Sequence, residues 1–393
     1  MTASYRFVFT TLLAALLLYS CNTPAQKGSA QGDEQTSADA GFLGKGKYTG
    51  AYWPTGEWRE CKPEAVGMNS AKLLKAIAYA ATPTFNTDGL AVIRKGHIVA
   101  EAYLGNFRID SRHVSHSMAK SFTSTLVGIA IDKGQIEGVD EKICKFYDQW
   151  DCDDADDLRS RITLRHAMTL TTGLEWKEDW SKWDPKTNDA LQMGASGHFV
   201  EYMAQKSGLY EPGQQFVYST GDPMLLSKVI QEATGMSAFA YARENLFGPL
   251  NITAVDWDRD KDGYTSTAWG LHMSVRDYAK FGYLYINKGR WQGKQMVSEQ
   301  WVEQSTRTDP GVRMWAAYGY LWHVNLPYRL RWSKSPVPLD SIPQDGYMAE
   351  GVLGQSIVII PSKDLVIVRV ANETGGHMDL VKFLTMVLDA IES

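Results

Sequence analysis

The chain has 393 residues, a formal net charge of −5 and no long basic run, a balance that argues against nucleic acid as a partner. With 44% hydrophobic residues it can bury one large core or a two-part domain. Its 13 tryptophans and 19 tyrosines point to a cleft with aromatic walls as well as to core packing.

Residues 1–21 read as an export signal. Arg6 supplies the positive charge, and the apolar run Phe7 to Leu18 is too short for a comfortable membrane span. Leu18-Tyr-Ser-Cys21 looks like a bacterial lipobox, so Cys21 is the expected lipidated residue and the chain an exported, membrane-tethered one. Ordinary cleavage nearby is the alternative, since Tyr19 is bulky for its place. Residues 22–54 begin with a stretch rich in Ala, Gly, Ser, Gln, Thr and Asp and read as a flexible tether. The folded domain is expected over 55–393.

Asn69 or Ser70 caps a helix running to about Ala80. Gly89–Gly96 and His97–Tyr103 read as a β-hairpin turning at Lys95-Gly96. Ser117-Met-Ala-Lys120 then stands where the next helix begins. Residues three apart share a helical face, so the hydroxyl meets the amine. The apolar stripe Phe122, Leu126, Val127, Ile129 and Ala130 carries Lys120 inward rather than to water. Desolvation makes a lysine release its proton more readily and lets it accept one from the serine. The structural alternative, a solvated helix surface, fits those flanks poorly.

From about 131 to 265 the signals are mostly helical. Cys144 and Cys152 are close enough for a local disulfide, which leaves Cys61 free. Ile162–Trp176 reads as a packed helix ending at Gly173. In Glu211–Leu226 a Pro-Gly turn leads to Tyr218 and then to a helix capped through Thr220 or Asp222. Tyr318–Val324, Gly354–Ile360 and Leu365–Val370 read as strands, and a helix over about 377–391 closes the chain. The expected architecture is α+β: an antiparallel sheet built from both ends of the chain, flanked by terminal helices, with an α-rich lobe (about 131–265) inserted. A cleft between the two parts is the default place for a site.

Ser117-Met-Ala-Lys120, Arg165-His-Ala-Met-Thr-Leu-Thr-Thr-Gly-Leu174, Tyr218-Ser-Thr220 and Gly351-Val-Leu-Gly354-Gln-Ser-Ile-Val-Ile-Ile-Pro361 occur in this order. Together they resemble the serine β-lactamase and penicillin-binding-protein superfamily over roughly 55–393, in its class C-like branch of esterases, D-aminopeptidases and 6-aminohexanoate-dimer hydrolases. The resemblance implies a β-lactamase/transpeptidase-like fold and acyl transfer without a cofactor. Ser117 would attack a carbonyl while Lys120 and Tyr218 exchange protons. Backbone N–H groups of Ser117 and, on the later edge strand, Ala349 would hold the oxyanion.

Two departures from the family pattern bear on substrate. Thr220 replaces the family's Asn, although a hydroxyl there can still bond Lys120. The third motif, normally Lys-Thr-Gly or His-x-Gly, is replaced by Asp345-Gly-Tyr-Met-Ala-Glu350-Gly351, so the cation for a substrate carboxylate is missing and Glu350 adds the opposite charge. Such a contact is worth about 1.5–3 kcal/mol. Penicillins and D-Ala-D-Ala peptides carry that carboxylate.

Trp176, Trp180, Trp183 and Trp269 are candidate walls for the acyl group. His113 and His116 flank the nucleophile without a ligand pattern for a metal, and no Gly-x-Ser-x-Gly elbow occurs. The expectation is an exported serine hydrolase acting on a small-molecule or short peptide-like ester or amide. A β-lactamase or D,D-peptidase, and a lipid-tethered binding protein that keeps the fold without turnover, are the competitors.

Overall fold

The computed structural model describes residues 40–180, 184–310, 317–324, 327, 335–340, 342–374 and 376–392. The expected export signal with Cys21, residues 22–39 of the expected tether and Trp183 lie outside the described residues. The rest of that tether belongs to the fold instead: Leu43 bridges Ala100, Gly44 donates its N–H to the Val99 carbonyl, and Tyr52 and Trp53 pack against the core, so the folded unit starts at Ala40 rather than at 55.

Asn69 caps the first long helix, α1 (Ser70–Ala80), its side chain accepting the N–H of Lys72. The hairpin follows as β1 (Thr87–Arg94) and β2 (His97–Tyr103), turned by Lys95 and Gly96 at φ 48° and 75°. Glycine is required at 96, because a Cβ there would stand 2.5 Å from the Tyr283 hydroxyl. Short strands β3 (His113–Val114), β4 (Asp256–Trp257) and β5 (Leu271–Met273) form a small separate sheet, and β6 (Arg290–Trp291) pairs with β7 (Lys294–Gln295).

Late in the chain come β8 (Tyr347–Gly351), β9 (Gln355–Ile360) and β10 (Leu365–Ala371). They join the hairpin in a five-stranded antiparallel sheet of order β2-β1-β10-β9-β8. Val92 faces Ile367 across the junction of the two chain ends. Both faces are covered, so strands that alternate faces still read as continuous apolar runs. Leu90, Val92, Val358 and Ile367 pack on α1 and the last helix, α10 (Leu380–Asp389). Ala91, Ile93, Ile357 and Val368 pack on the other side, in the core shared with α2 (Ala119–Asp132) and α8 (Val275–Ile286).

Between α2 and β4 lie α3 (Leu164–Thr169), α4 (Asp189–Ser196), α5 (Phe199–Ala204), α6 (Asp222–Thr234) and α7 (Ala238–Ala242), while α9 (Glu299–Ser305) packs its Trp301 ring on Gly128 of α2. Cys144 and Cys152 are disulfide-bonded, and Cys61 is free and buried.

Two expected elements differ. The segment 318–324 is not a strand: Leu321 sits at φ 60°, the chain doubles back, and only the single bridges Tyr318–His323 and His323–Met348 form. The helix before Gly173 stops at Thr169, where Leu170 adopts the left-handed cap conformation. Gly173 serves a different need. Its carbonyl accepts the N–H groups of Leu209 and Tyr210, and a Cβ at 173 would stand 2.1 Å from the Tyr210 carbonyl oxygen.

Candidate active site

Ser117 lies in a single 3-10 turn, His116–Met118, and the α-helix proper begins at Ala119, two residues after the serine. The turn is tied to β5: Ser115 donates its N–H to the Leu271 carbonyl, and its hydroxyl accepts the Leu271 N–H. His116 is held at φ 45°, a conformation that non-glycine residues adopt only under local constraint.

Every residue from Ala119 to Ala130 is buried, the polar ones included. Several of those hydroxyls find carbonyl partners, Ser121 on Leu321 and Thr123 on Thr267. The same burial encloses Lys120, whose Nζ donates to Ser117 Oγ at 2.9 Å and to the Ala268 carbonyl at 3.3 Å. Burial pushes its pKa down to about 8, partly opposed by the charge of Glu178. A lysine in this state reaches its neutral, proton-accepting form near physiological pH.

The Tyr218 ring centroid is 5.3 Å from Lys120 Nζ, so the tyrosine expected from sequence stands over the amine. Its segment is pinned on either side. Val217 donates its N–H to the Leu170 carbonyl. Ser219 Oγ accepts from the N–H groups of Gly221 and Asp222, and Gly221 occupies the cap position of α6 without a side-chain capping bond, so neither Thr220 nor Asp222 caps the helix as expected. Thr220 donates its hydroxyl to Glu178 Oε1 at 2.6 Å, which corrects the expectation that it would serve Lys120.

Sequence reasoning missed Glu178. Its two oxygens accept from the Thr220 N–H and hydroxyl and from the indoles of Trp176 and Trp180. The available signal was an acidic residue inside a tryptophan-rich loop just after the Arg165–Leu174 segment. Trp176 is consequently a packed residue rather than an open wall, its ring lying against the Cα of Gly221. Trp269 is half-buried beside Phe199, ring centroids 4.9 Å apart.

At the sheet edge, Met348 exchanges both backbone hydrogen bonds with His323. Successive residues of a strand point their amides in opposite directions, which turns the Ala349 N–H toward β9 and its partner Ile357. Ala349 therefore cannot serve the oxyanion. By the same alternation the N–H groups of Glu350 and, beyond Gly351 (extended at φ −131° and ψ 152°), of Val352 point off the sheet's outer edge like that of Met348. Gln355 holds this turn through Nε2, which donates to the carbonyls of Val352 and Leu353 at 3.2 Å each. Glu350 lies 3.4 Å from His323 Nε2.

Of the flanking imidazoles, His113 meets Asp88 at 3.1 Å and His272 meets Asp258 at 3.2 Å. Burial, then the neighbouring His113, His272 and Lys120, press His116 down to about 4, so it is neutral at working pH.

The family profile described as Beta-lactamase matches residues 78–388. A 6-aminohexanoate-dimer hydrolase of Paenarthrobacter ureafaciens is 24% identical over 233 residues, which is 55% of this chain and only 56% of that relative's own length. Among solved structures, a Bacillus anthracis protein provisionally named a 6-aminohexanoate-dimer hydrolase superposes with a TM-score of 0.63 at 20% identity, covering 78% of this chain and 79% of its own. An octameric penicillin-binding protein homologue from Pyrococcus abyssi gives a TM-score of 0.59 at 18% identity, over 83% of this chain and 78% of the other. At these identities the superpositions establish the shared fold.

Proposed function

The chain belongs to the Beta-lactamase family, and from that premise we propose that it is a serine hydrolase that cleaves an ester or amide through an acyl-enzyme on Ser117. The observation that carries this reading is the 2.9 Å contact between Ser117 Oγ and the buried Lys120 amine. With Lys120 neutral, the serine proton passes to Nζ as Oγ attacks the carbonyl. Tyr218, over the same amine, exchanges that proton with the leaving group. The backbone N–H groups of Ser117 and Val352 receive the oxyanion. Water then repeats the sequence on the acyl-enzyme.

The edge strand reads Ala349-Glu350-Gly351 where the family has its cation, and Glu350 is paired with His323. Substrates with an uncharged group next to the scissile bond fit this edge better than penicillins or D-Ala-D-Ala peptides. A fluorophosphonate probe is expected to label Ser117, located by peptide mass spectrometry, and Ser117→Ala to abolish labelling. Labelling that persists in the alanine variant overturns the assignment. Export with lipid attached at Cys21 is proposed from Leu18-Tyr-Ser-Cys21 alone. It predicts incorporation of labelled fatty acid that Cys21→Ser removes.

A further inference from the structure

The catalytic segments come from separate elements, and one carboxylate joins them. Glu178 Oε1 accepts from Trp180 Nε1 at 2.7 Å and Thr220 Oγ1 at 2.6 Å. Oε2 accepts from Trp176 Nε1 at 2.9 Å and the Thr220 N–H at 2.7 Å. Both oxygens are thus engaged twice.

The residues on either side of Glu178 are themselves anchored. Lys177 donates its N–H to Asp189 at 2.6 Å, and the Asp179 carbonyl accepts from Asn188 at 3.0 Å. Asp189 is held in turn by Lys206 and Tyr202, each at 2.7 Å. The loop is built to present one carboxylate at one place. Thr220, which takes two of its bonds, is two residues from Tyr218.

We propose that Glu178 is a positioning residue of this site, holding the Tyr218–Thr220 segment in register with Lys120 and setting the charge balance that Lys120 experiences. The proposal rests on the assignment of Lys120 and Tyr218 made above. It is structural at Thr220 and electrostatic at Lys120. Fixed dipoles and charges that need not reorganise during the reaction are worth more than the same groups left mobile. Binding by two indoles and one residue's backbone and hydroxyl also ties the aromatic side of the loop to the proton-transfer side. A substrate that displaces Trp180 would disturb Tyr218 through Glu178.

Ser117 and Tyr218 contact Lys120 directly, while the charges of His116 on the nucleophile turn and Glu178 on the loop after α3 are close enough to act on it, with Asp222 at the start of α6 feeling Glu178 in turn. Of these only Glu178 opposes the effect of burial on Lys120.

The test compares wild type with Glu178→Gln, which keeps the shape and removes the charge. Lys120 is titrated directly by NMR on lysine labelled at the ε position, its signal assigned by Lys120→Arg, and kcat and KM are measured across pH on a p-nitrophenyl ester. The proposal expects the Lys120 pKa to fall by at least about half a unit. It also expects kcat to fall at least ~10-fold with KM changed less than ~3-fold, and the acidic limb of kcat to move the same way as the titration. An unmoved Lys120 titration with wild-type kcat in a folded variant overturns it. Should Glu178→Gln fail to fold, Thr220→Val removes one of the four bonds and is expected to lower kcat several-fold at constant KM; wild-type kcat there also overturns the proposal. If the wild type neither hydrolyses the ester nor labels at Ser117, the functional reading falls, while the NMR titration still decides the role of Glu178.

Discussion

Gly351 lies directly against the carbonyl of Ser115: a Cβ on residue 351 would stand 2.4 Å from that oxygen and 3.1 Å from His116 Cβ. The edge strand can approach the nucleophile turn this closely only without a side chain. Gly351→Ala is therefore expected to push β8 off the turn, costing about 1–3 kcal/mol as overpacking does. Fluorophosphonate labelling of Ser117 should slow at least ~10-fold as the second N–H donor moves away. Thermal unfolding and labelling rate measure the two effects, and an unchanged rate would show that β8 does not frame the site.

Activity should follow the neutral form of Lys120. Burial lowers this amine to about 8, so it is mostly protonated, and unable to accept the serine proton, below that value. The rate constant kcat/KM is expected to rise through about pH 8 and to level off above it. A profile already flat from pH 6 upward would remove Lys120 as the base.

Tyr218→Phe retains the ring that covers Lys120 and loses only the hydroxyl. A loss of at least ~10²-fold in kcat is expected, in the range of acid–base contributions. Circular dichroism should be unchanged, because the segment is held through Val217, Ser219 and Thr220. Wild-type turnover in this variant would return Tyr218 to a packing role.

Lys120 should also cost the protein stability. Its pKa is near 8 when folded and 10.5 ordinarily. Below pH 8 both states carry the proton and only the folded one suffers the desolvation. Between about 8 and 10.5 the unfolded chain binds the proton and the folded one does not, so wild-type stability climbs with pH across that window. Lys120→Met is expected to be inactive yet about 1–3 kcal/mol more stable at pH 7. The advantage should shrink steadily from pH 8 to 10.5. Urea unfolding at pH 7 and at pH 10 reads the difference, and a variant less stable than wild type at pH 7 would contradict it.

The disulfide joins Cys144 to Cys152, eight residues apart. Closing a loop of that length stabilises by about 2–3 kcal/mol in the chain-entropy treatment. Replacing both cysteines by alanine should lower Tm by several degrees and leave the labelling of Ser117 intact, since neither residue touches the site. Unchanged Tm would mean that the bridge constrains nothing in the unfolded chain.

The parts of the fold legible in the sequence were those whose signal is local. The Asn69 cap, the Lys95-Gly96 turn and the apolar runs of β9 and β10 all announced themselves through neighbours in the chain. So did Ser117, Lys120 and Tyr218, whose types and order carry chemistry. What stayed hidden depended on tertiary partners. Nothing near Glu178 in the chain says that Thr220 will cross to meet it. Nothing in Ala349-Glu350-Gly351 tells which amide points away from the sheet; that follows from His323 pairing with Met348. The segment 318–324 has a strand's composition but folds back at Leu321, because its backbone partner is a short stretch of the β8 edge.

The junction of β1 with β10 has a kinetic consequence. Val92 and Ile367 face each other near the middle of the sheet, so the strand that follows the first helix has no permanent neighbour on that side until residues 365–371 have been made. Gly351, which closes on the nucleophile turn, is made only shortly before that neighbour. A growing chain therefore carries Ser117 and Lys120 without the framework that makes them reactive until Gly351 and the strands after it have been made. Pairing across such a span is slow, because loop closure precedes any return from the contact. Chains truncated before residue 365 should thus be open and protease-sensitive, and chains that include β10 should acquire the reactive serine late, close to the moment that strand docks.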